Sequence, residues 1–187
     1  MEFLVDEEEP TELAVSVEEM KIFSRVDGDD EDELIGQLIR GVTQEAEDIC
    51  HRVFAHRKVF FTAELPADGD IVLPVLPVSG LTSVKVDGEE VDLDLYAVSM
   101  PSSQGRHIRP AVIRPLDGFP EAGTLAVTAF AGGVVPEPVI TWIKTRVSTL
   151  YEQRESHAMF NTGLKFTELG RDYSMAMLDP YIIHGGF

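Results

Sequence analysis

Acidic residues at alternate positions near the start of the chain have the spacing of a calcium-binding loop. Asp27, Asp29 and Glu31 match the first three ligand positions of an EF-hand. That loop needs a glycine at the next position, where this sequence has Asp32, and no bidentate glutamate follows at the required distance. We therefore expect no calcium site, and a solvated helix N-terminus explains the acidic run better.

One cysteine and two histidines lie close enough in sequence to suggest a zinc site. Cys50, His51 and His56 offer sulfur and nitrogen ligands, but no C-x-x-C or H-E-x-x-H motif accompanies them. Neighbouring residues on a helix also point about 100° apart. We expect no metal site, and Cys50 is better explained as a small hydrophobic core residue.

Motifs for nucleophilic catalysis or phosphate binding are absent from the sequence. It has no G-x-S-x-G, no G-x-x-x-x-G-K and no G-x-G-x-x-G, and the pair Gly132-Gly133 reads as a turn before a helix. A dyad of histidine and carboxylate would require a tertiary arrangement that sequence does not specify. We expect neither a cofactor nor enzymatic activity.

Composition narrows the class of protein further. The 187 residues are 44% hydrophobic, enough for one folded body, and carry a net charge of −18, which disfavours sequence-specific DNA binding but allows a protein that surrounds passing DNA. One cysteine excludes an intrachain disulfide. With no leader pattern and no long apolar stretch, we expect a soluble cytoplasmic chain without a membrane partner.

Hydrophobic periodicity predicts three helices, over residues 16–25, 30–53 and 137–156. The first begins with a capping box, Ser16-Val17-Glu18-Glu19, and Asp29 or Asp30 is the expected N-cap of the second. The second helix has one apolar stripe, formed by Ile35, Leu38, Ile39, Val42, Ala46, Ile49 and Val53.

The third predicted helix carries two stripes. Its core stripe is Val139, Ile140, Ile143, Val147, Leu150 and Tyr151, and a second stripe comprises Trp142, Arg146, Thr149 and Gln153. The second helix also contains Gly36 and Gly41, each of which costs roughly 1 kcal/mol relative to alanine. We expect this second stripe and the two glycines to contact a neighbouring subunit. The alternatives are that Trp142 covers the edge of the core and that the glycines are merely tolerated.

Between the second and third helices, residues 57–131 predict an inserted antiparallel β unit. Short β-rich runs are broken by proline and glycine, over 59–64, 71–75, 81–86, 90–96, 112–114 and 124–130. Asp87-Gly88 predicts a type I′ hairpin, and Pro74 and Pro77 indicate edge strands or bends. The predicted fold class is α+β: a small bundle of three main helices, an inserted antiparallel β unit and extended terminal arms.

Both ends of the chain are predicted to be arms outside the folded domain of residues 13–156. Residues 1–12 form an acidic N-terminal arm, and residues 157–187 form a C-terminal tail without helical periodicity. Pro180 and Gly185-Gly186 oppose regular structure in the tail, which is rich in apolar residues. It either docks as an extended arm onto another protein or folds back onto the β unit.

Three stretches resemble the phage head-to-tail connector adaptors, the gp6-like and phiE125 gp8-like families. Ser16 to Asp27 with Asp30 to Ile35 is similar to "hLRVD…DEDxLI", Val78 to Val84 to "PL.SVTSV", and Val135 to Ile140 with Leu150 to Glu155 to "VPxPIxxAI…LYExRE". Leu178-Asp179-Pro180-Tyr181 is similar to a terminal "LxPYR", although the arginine is missing.

This resemblance implies a structural virion protein, assembled in the bacterial host cytoplasm. Its partners would be further copies of itself in a dodecameric ring, the portal protein, a head-closure (stopper) or tail protein, and passing double-stranded DNA. The portal-binding residues implied are Leu178, Asp179, Pro180, Tyr181, Ile182, Ile183 and Phe187. The competing interpretations are a head-closure or tail-terminator ring protein and, from another class, a cytoplasmic acidic binding module or hydrolase.

Overall fold

A computed structural model describes residues 3–66, 69–74, 77–100, 109–158 and 175–183. Those within Met1–Glu12 and Arg52–Val134 form one compact unit, called here the β unit. Those within Leu13–His51 and Val135–His184 form a second, the helical unit. The predicted domain organisation stays a prediction, and the structure divides the described residues into these two compact units. The inserted strands bury their own apolar cluster, which is why they make a separate unit.

The helical unit contains the three predicted helices, α1 (Val17–Ser24), α2 (Asp32–Cys50) and α3 (Glu137–Ala158). The α1 helix is capped as predicted, because the backbone N–H of Glu19 donates to the Ser16 hydroxyl at 3.2 Å. Each helix packs against the other two. No helix in the described ranges is long and apolar enough to cross a membrane.

The α2 helix is shorter than predicted at both ends. Its N-cap is Glu31, which makes no side-chain capping bond, so the prediction of Asp29 or Asp30 is wrong. It ends because His51 adopts a left-handed conformation with φ 52°, so that Val53 belongs to the core of the β unit. The predicted stripe is confirmed within these limits, with Ile35 and Ile39 fully buried.

Two antiparallel sheets make up the β unit. The five-stranded sheet has the order β1-β2-β8-β4-β5, from β1 (Leu4–Glu7), β2 (Arg57–Glu64), β4 (Val78–Val86), β5 (Glu89–Glu90) and β8 (Thr124–Ala131). The three-stranded sheet has the order β3-β7-β6, from β3 (Ile71–Val72), β6 (Tyr96–Ser99) and β7 (Val112–Pro115). Residues of both sheets, such as Phe61 and Ile113, share one hydrophobic core.

The acidic N-terminus, predicted to be an arm, contains an edge strand. Residues Leu4–Glu7 of β1 pair antiparallel with β2, Phe3 packs edge-on against Phe61, and Glu7 forms a 2.7 Å ion pair with the buried Arg57. All four β1 residues are nevertheless exposed. The sequence concealed this strand because its partner lies more than fifty residues away.

The predicted hairpin at Asp87-Gly88 is confirmed. Both residues have positive φ, 52° and 87°, and β4 pairs with β5 across them. The predicted strand over 90–96 is wrong in its middle, where Leu93–Leu95 form a 3-10 turn capped by the Asp92 carboxylate. Alternation of valine or leucine with aspartate in that stretch imitated a half-buried strand.

Candidate assembly surfaces

Two carboxylates of the acidic run at the start of α2 form ion pairs with a lysine from α1. The Lys21 ammonium contacts Asp29 at 2.6 Å and Asp32 at 2.8 Å. These hydrogen bonds raise the pKa of Lys21, and the bond from Lys21 lowers the pKa of Asp29. Asp29, a candidate calcium ligand, and Asp32 of α2 therefore both bind a lysine of α1, and the sequence could have signalled this only by the presence of a lysine one turn before the end of α1.

Replacing Lys21 with methionine is expected to return the pKa of the Asp29 carboxyl to its ordinary range. With lysine present, this contact supports folding above the usual aspartate pKa, and its contribution is lost as pH falls through the lowered value. Carboxyl carbon NMR titration measures the shift directly. The control is Lys85→Met on β4, which should leave Asp29 unchanged; an unaltered Asp29 pKa in Lys21→Met would contradict the ion pair.

The three residues considered as zinc ligands each have a different environment. Cys50 is fully buried in the helical unit, and His51 is the exposed C-cap of α2. His56, in the β unit, stacks on Phe130 at 5.0 Å and shares a 3.1 Å hydrogen bond with the Thr11 hydroxyl. Across the described ranges, no cluster of three or more histidine, cysteine or acidic side chains has the geometry to hold a metal ion.

The second stripe of α3 is largely covered by the chain itself. Trp142 is only 4% exposed in the single chain, which favours the alternative that it covers the edge of the core. Arg146 is half-buried and pairs with Glu45 of α2 at 3.3 Å, while the Thr149 hydroxyl donates to the Thr145 carbonyl. A helix that packs against two others needs a wide apolar face, which explains the second stripe.

The two glycines of α2 differ in their surroundings. A Cβ at Gly36 would make only ordinary contacts, 3.9 Å from Val17 and Arg40, although the residue is buried. Gly41 is exposed, with nothing within 4 Å of a built Cβ. Neither glycine is required by close packing within the chain. A role at a subunit interface stays a prediction for the whole set: Gly36, Gly41, Trp142, Arg146, Thr149 and Gln153.

The described part of the C-terminal tail is folded rather than extended. Asp179–Tyr181 form a 3-10 helix, Leu178 is fully buried and Tyr181 is 7% exposed. The Ile183 amide donates to the Cys50 carbonyl at the end of α2, at 3.0 Å. The tail thus folds back onto the helical unit, rather than onto the β unit as the alternative reading had it.

The proposed portal-binding residues therefore differ in their exposure to solvent. Asp179 and Pro180 are exposed, Ile182 and Ile183 are half-buried, and Leu178 and Tyr181 are inside. Phe187 lies outside the described residues. Leu178 and Tyr181 act in this structure as anchors within the helical unit.

Open sheet edges form a set of surfaces that the sequence analysis missed. Carboxylates occupy both outer strands of the five-stranded sheet, Asp6 and Glu7 on β1 and Glu89–Glu90 on β5. Strand β6, at one edge of the three-stranded sheet, carries no charged residue. The available signal was a run from residue 95 to 105 without a charge, in a chain that is 26% charged.

In the three-stranded sheet, an ion pair and a partly buried phenol shift the pKa values of two side chains. Arg114 of β7 makes a bidentate contact with Asp70 at 3.0 and 2.9 Å, which lowers the pKa of Asp70. Burial raises the pKa of the Tyr96 phenol on β6, and the carboxylates of Glu90 and Asp92 act in the same direction. The Arg114–Asp70 contact therefore anchors β7, the central strand of this sheet.

Residues 14–80 match the family of phage gp6-like head-tail connector proteins. The predicted resemblance to gp6-like connectors is confirmed. The gp6-like match covers α1, α2, β2, β3 and the start of β4, and therefore includes parts of both units. Among curated proteins, none matches this chain in sequence.

The chain shares its fold over nearly its whole length with solved structures from the gene transfer agent (GTA). A chain in the neck of the empty GTA particle, computed with C6 symmetry, is 16% identical with a TM-score of 0.70. Chains of the native GTA virion and of the native neck, computed with C12 symmetry, are 18% and 16% identical, with TM-scores of 0.66 and 0.65. Each alignment covers 98% of this chain and 97% of the other. The α+β fold predicted from the sequence is thus the fold of these GTA chains.

Proposed function

We propose that this protein is a structural component of a phage or phage-like virion neck. It forms an adaptor ring between the portal and the head-closure or tail proteins and extends the DNA channel. The observation that carries this proposal is the shared fold with a GTA neck chain over 98% of the sequence, together with the gp6-like match. The cyclic symmetry used for those necks supports a ring of identical subunits. We propose a copy number of twelve.

The proposed role is mechanical rather than catalytic. A channel wall must let DNA pass without holding it, and a chain with a net charge of −18 repels phosphates instead of binding them. We propose that DNA passes without sequence-specific contact and that the protein joins the virion after synthesis in the bacterial cytoplasm.

Contact with the portal is proposed for the folded C-terminal tail. Its exposed Asp179 and Pro180 and half-buried Ile182 and Ile183 form the contact surface, and Leu178 and Tyr181 hold this surface in place. Repetition around a ring multiplies a weak single contact, so a small apolar surface is sufficient.

The test is to mix the purified protein with rings of the portal protein encoded in the same genome. We expect a collar of additional density on the portal in electron microscopy and a mass increase equal to a multiple of one subunit. A protein that binds only to a completed portal–adaptor complex, or only to tail tubes, would instead be a head-closure or tail-terminator protein. A chain that binds none of these would contradict the neck assignment.

A further inference from the structure

Among the strands that the structure describes, none pairs with the outer edge of β6. The Leu116 amide donates to the Leu95 carbonyl, which fixes Leu95 as a hydrogen-bonded residue opposite β7. Bonded positions alternate in an antiparallel pair, so the N–H and C=O groups of Tyr96 and Val98 point away from β7.

Unguarded edges of this kind are pairing sites. Charges on an open edge discourage pairing with another charged edge, as on β1 and β5 here, but β6 is uncharged, and Val98 and Met100 are 37% and 41% exposed. A second strand would satisfy the backbone groups and cover this apolar surface.

Strand β1 has the matching geometry. The Glu8 amide donates to the Lys58 carbonyl, so by the same alternation the backbone groups of Val5 and Glu7 face outward. Like β6, β1 has four residues and exposed apolar side chains, with Leu4 75% and Val5 38% exposed.

One antiparallel register joins all of these outward groups, with Val5 opposite Val98 and Glu7 opposite Tyr96. In this register the core-facing sides of both sheets also coincide. Val5 lies opposite the buried Phe61 in its own sheet, and Val98 lies opposite the buried Ile113 in its own. In the paired strands, the core-facing residues Val5 and Val98 therefore lie on the same face of the joined sheet.

We propose that β1 of one copy adds to β6 of the next copy and that this strand pair is a subunit interface of the ring. This inference rests on the proposed function, because it assumes that the protein forms rings. Two different edges meet, which is the heterologous contact that cyclic closure needs. Pairing of β1 with another β1, with Val5 of each copy opposite Glu7 of the other, would place Asp6 opposite Asp6, which is unfavourable.

Disulfide trapping tests the register. In a non-bonded pair the side chains lie closest, and Asp6 would face Ala97 across the interface. Asp6→Cys and Ala97→Cys proteins, mixed under mild oxidation, are expected to give a covalent dimer on a denaturing gel that neither gives alone. The native Cys50 is buried, so the unmodified protein is the control.

Charge variants test the energetics without altering the core. Ala97→Glu places a carboxylate opposite Asp6 and is expected to raise the protein concentration needed for rings about fivefold. Adding Asp6→Lys should restore assembly. The matched control is Val72→Glu on β3, the opposite edge of the same sheet, which should assemble normally; melting temperatures should be alike in all variants.

The outcomes separate the two proposals. Rings by native mass spectrometry, with the disulfide and the charge rescue, support both. Rings without the disulfide, or rings indifferent to Ala97→Glu, overturn the strand pairing and leave the neck assignment intact. Failure of the unmodified protein to form rings, alone or on portals, overturns both.

Discussion

Gly132→Ala is expected to destabilise the β unit by about 3 kcal/mol or more. Gly132 has φ +74°, and an added Cβ would lie 2.6 Å from the Ala55 carbonyl oxygen and 2.8 Å from that of Phe54. Both are backbone atoms, so relief requires the chain itself to move. The Gly132 amide also donates to the Pro77 carbonyl at 3.0 Å, which fixes the turn.

Urea unfolding followed by circular dichroism measures this loss. The matched control is Gly88→Ala, where φ is +87° but nothing lies within 4 Å of the added Cβ. That variant is expected to lose only the cost of a left-handed alanine, roughly 1 to 2 kcal/mol. Equal losses in the two variants would show that the close approach at Gly132 does not matter.

Leu178→Ala is expected to destabilise the helical unit by about 2 to 5 kcal/mol. Leu178 is fully buried although it lies in a tail that the sequence predicted to be extended. Fluorescence of the single tryptophan, Trp142, reports unfolding of this unit because that side chain is buried there. Leu93→Ala in the β unit, where the side chain is 75% exposed, is the control and should change stability by less than about 0.5 kcal/mol.

A truncated chain ending at Glu168 extends this test. If the tail is part of the helical unit, truncation lowers the melting temperature as well as portal binding. Unchanged melting in both Leu178→Ala and the truncated chain, with portal binding lost, would instead mean that the tail is a free arm. That result would contradict the packing of Leu178.

Local signals in the sequence predicted local structure well. The Ser16 hydroxyl caps its helix by accepting a hydrogen bond from the Glu19 amide, three residues along the chain. Asp87-Gly88 closes a turn between adjacent strands. Both depend only on near neighbours, so the residue types carry the information. The fold class followed from the same patterns, because helical periodicity stops at the β insertion and resumes after it.

Features that depend on distant partners were missed or misjudged. β1 is a strand only because β2 offers an edge, and Leu178 is buried only because a helical surface is available to receive it. The stripe around Trp142 was visible, but whether it faces another helix or another subunit depends on packing that periodicity does not encode. The outward-facing backbone groups of β6 could be identified only from the hydrogen bonds that this strand makes with β7.

Chain order has a consequence for how this protein is made. The helical unit is discontinuous, because α3 follows α1 and α2 only after the whole of the β insertion. On the ribosome, α1 and α2 emerge first without the helix that completes their core, whereas most strands of the β unit emerge consecutively. We therefore expect the β unit to fold first during synthesis. Until translation reaches Val139 and beyond, the part of the apolar stripe of α2 that packs against α3 stays uncovered.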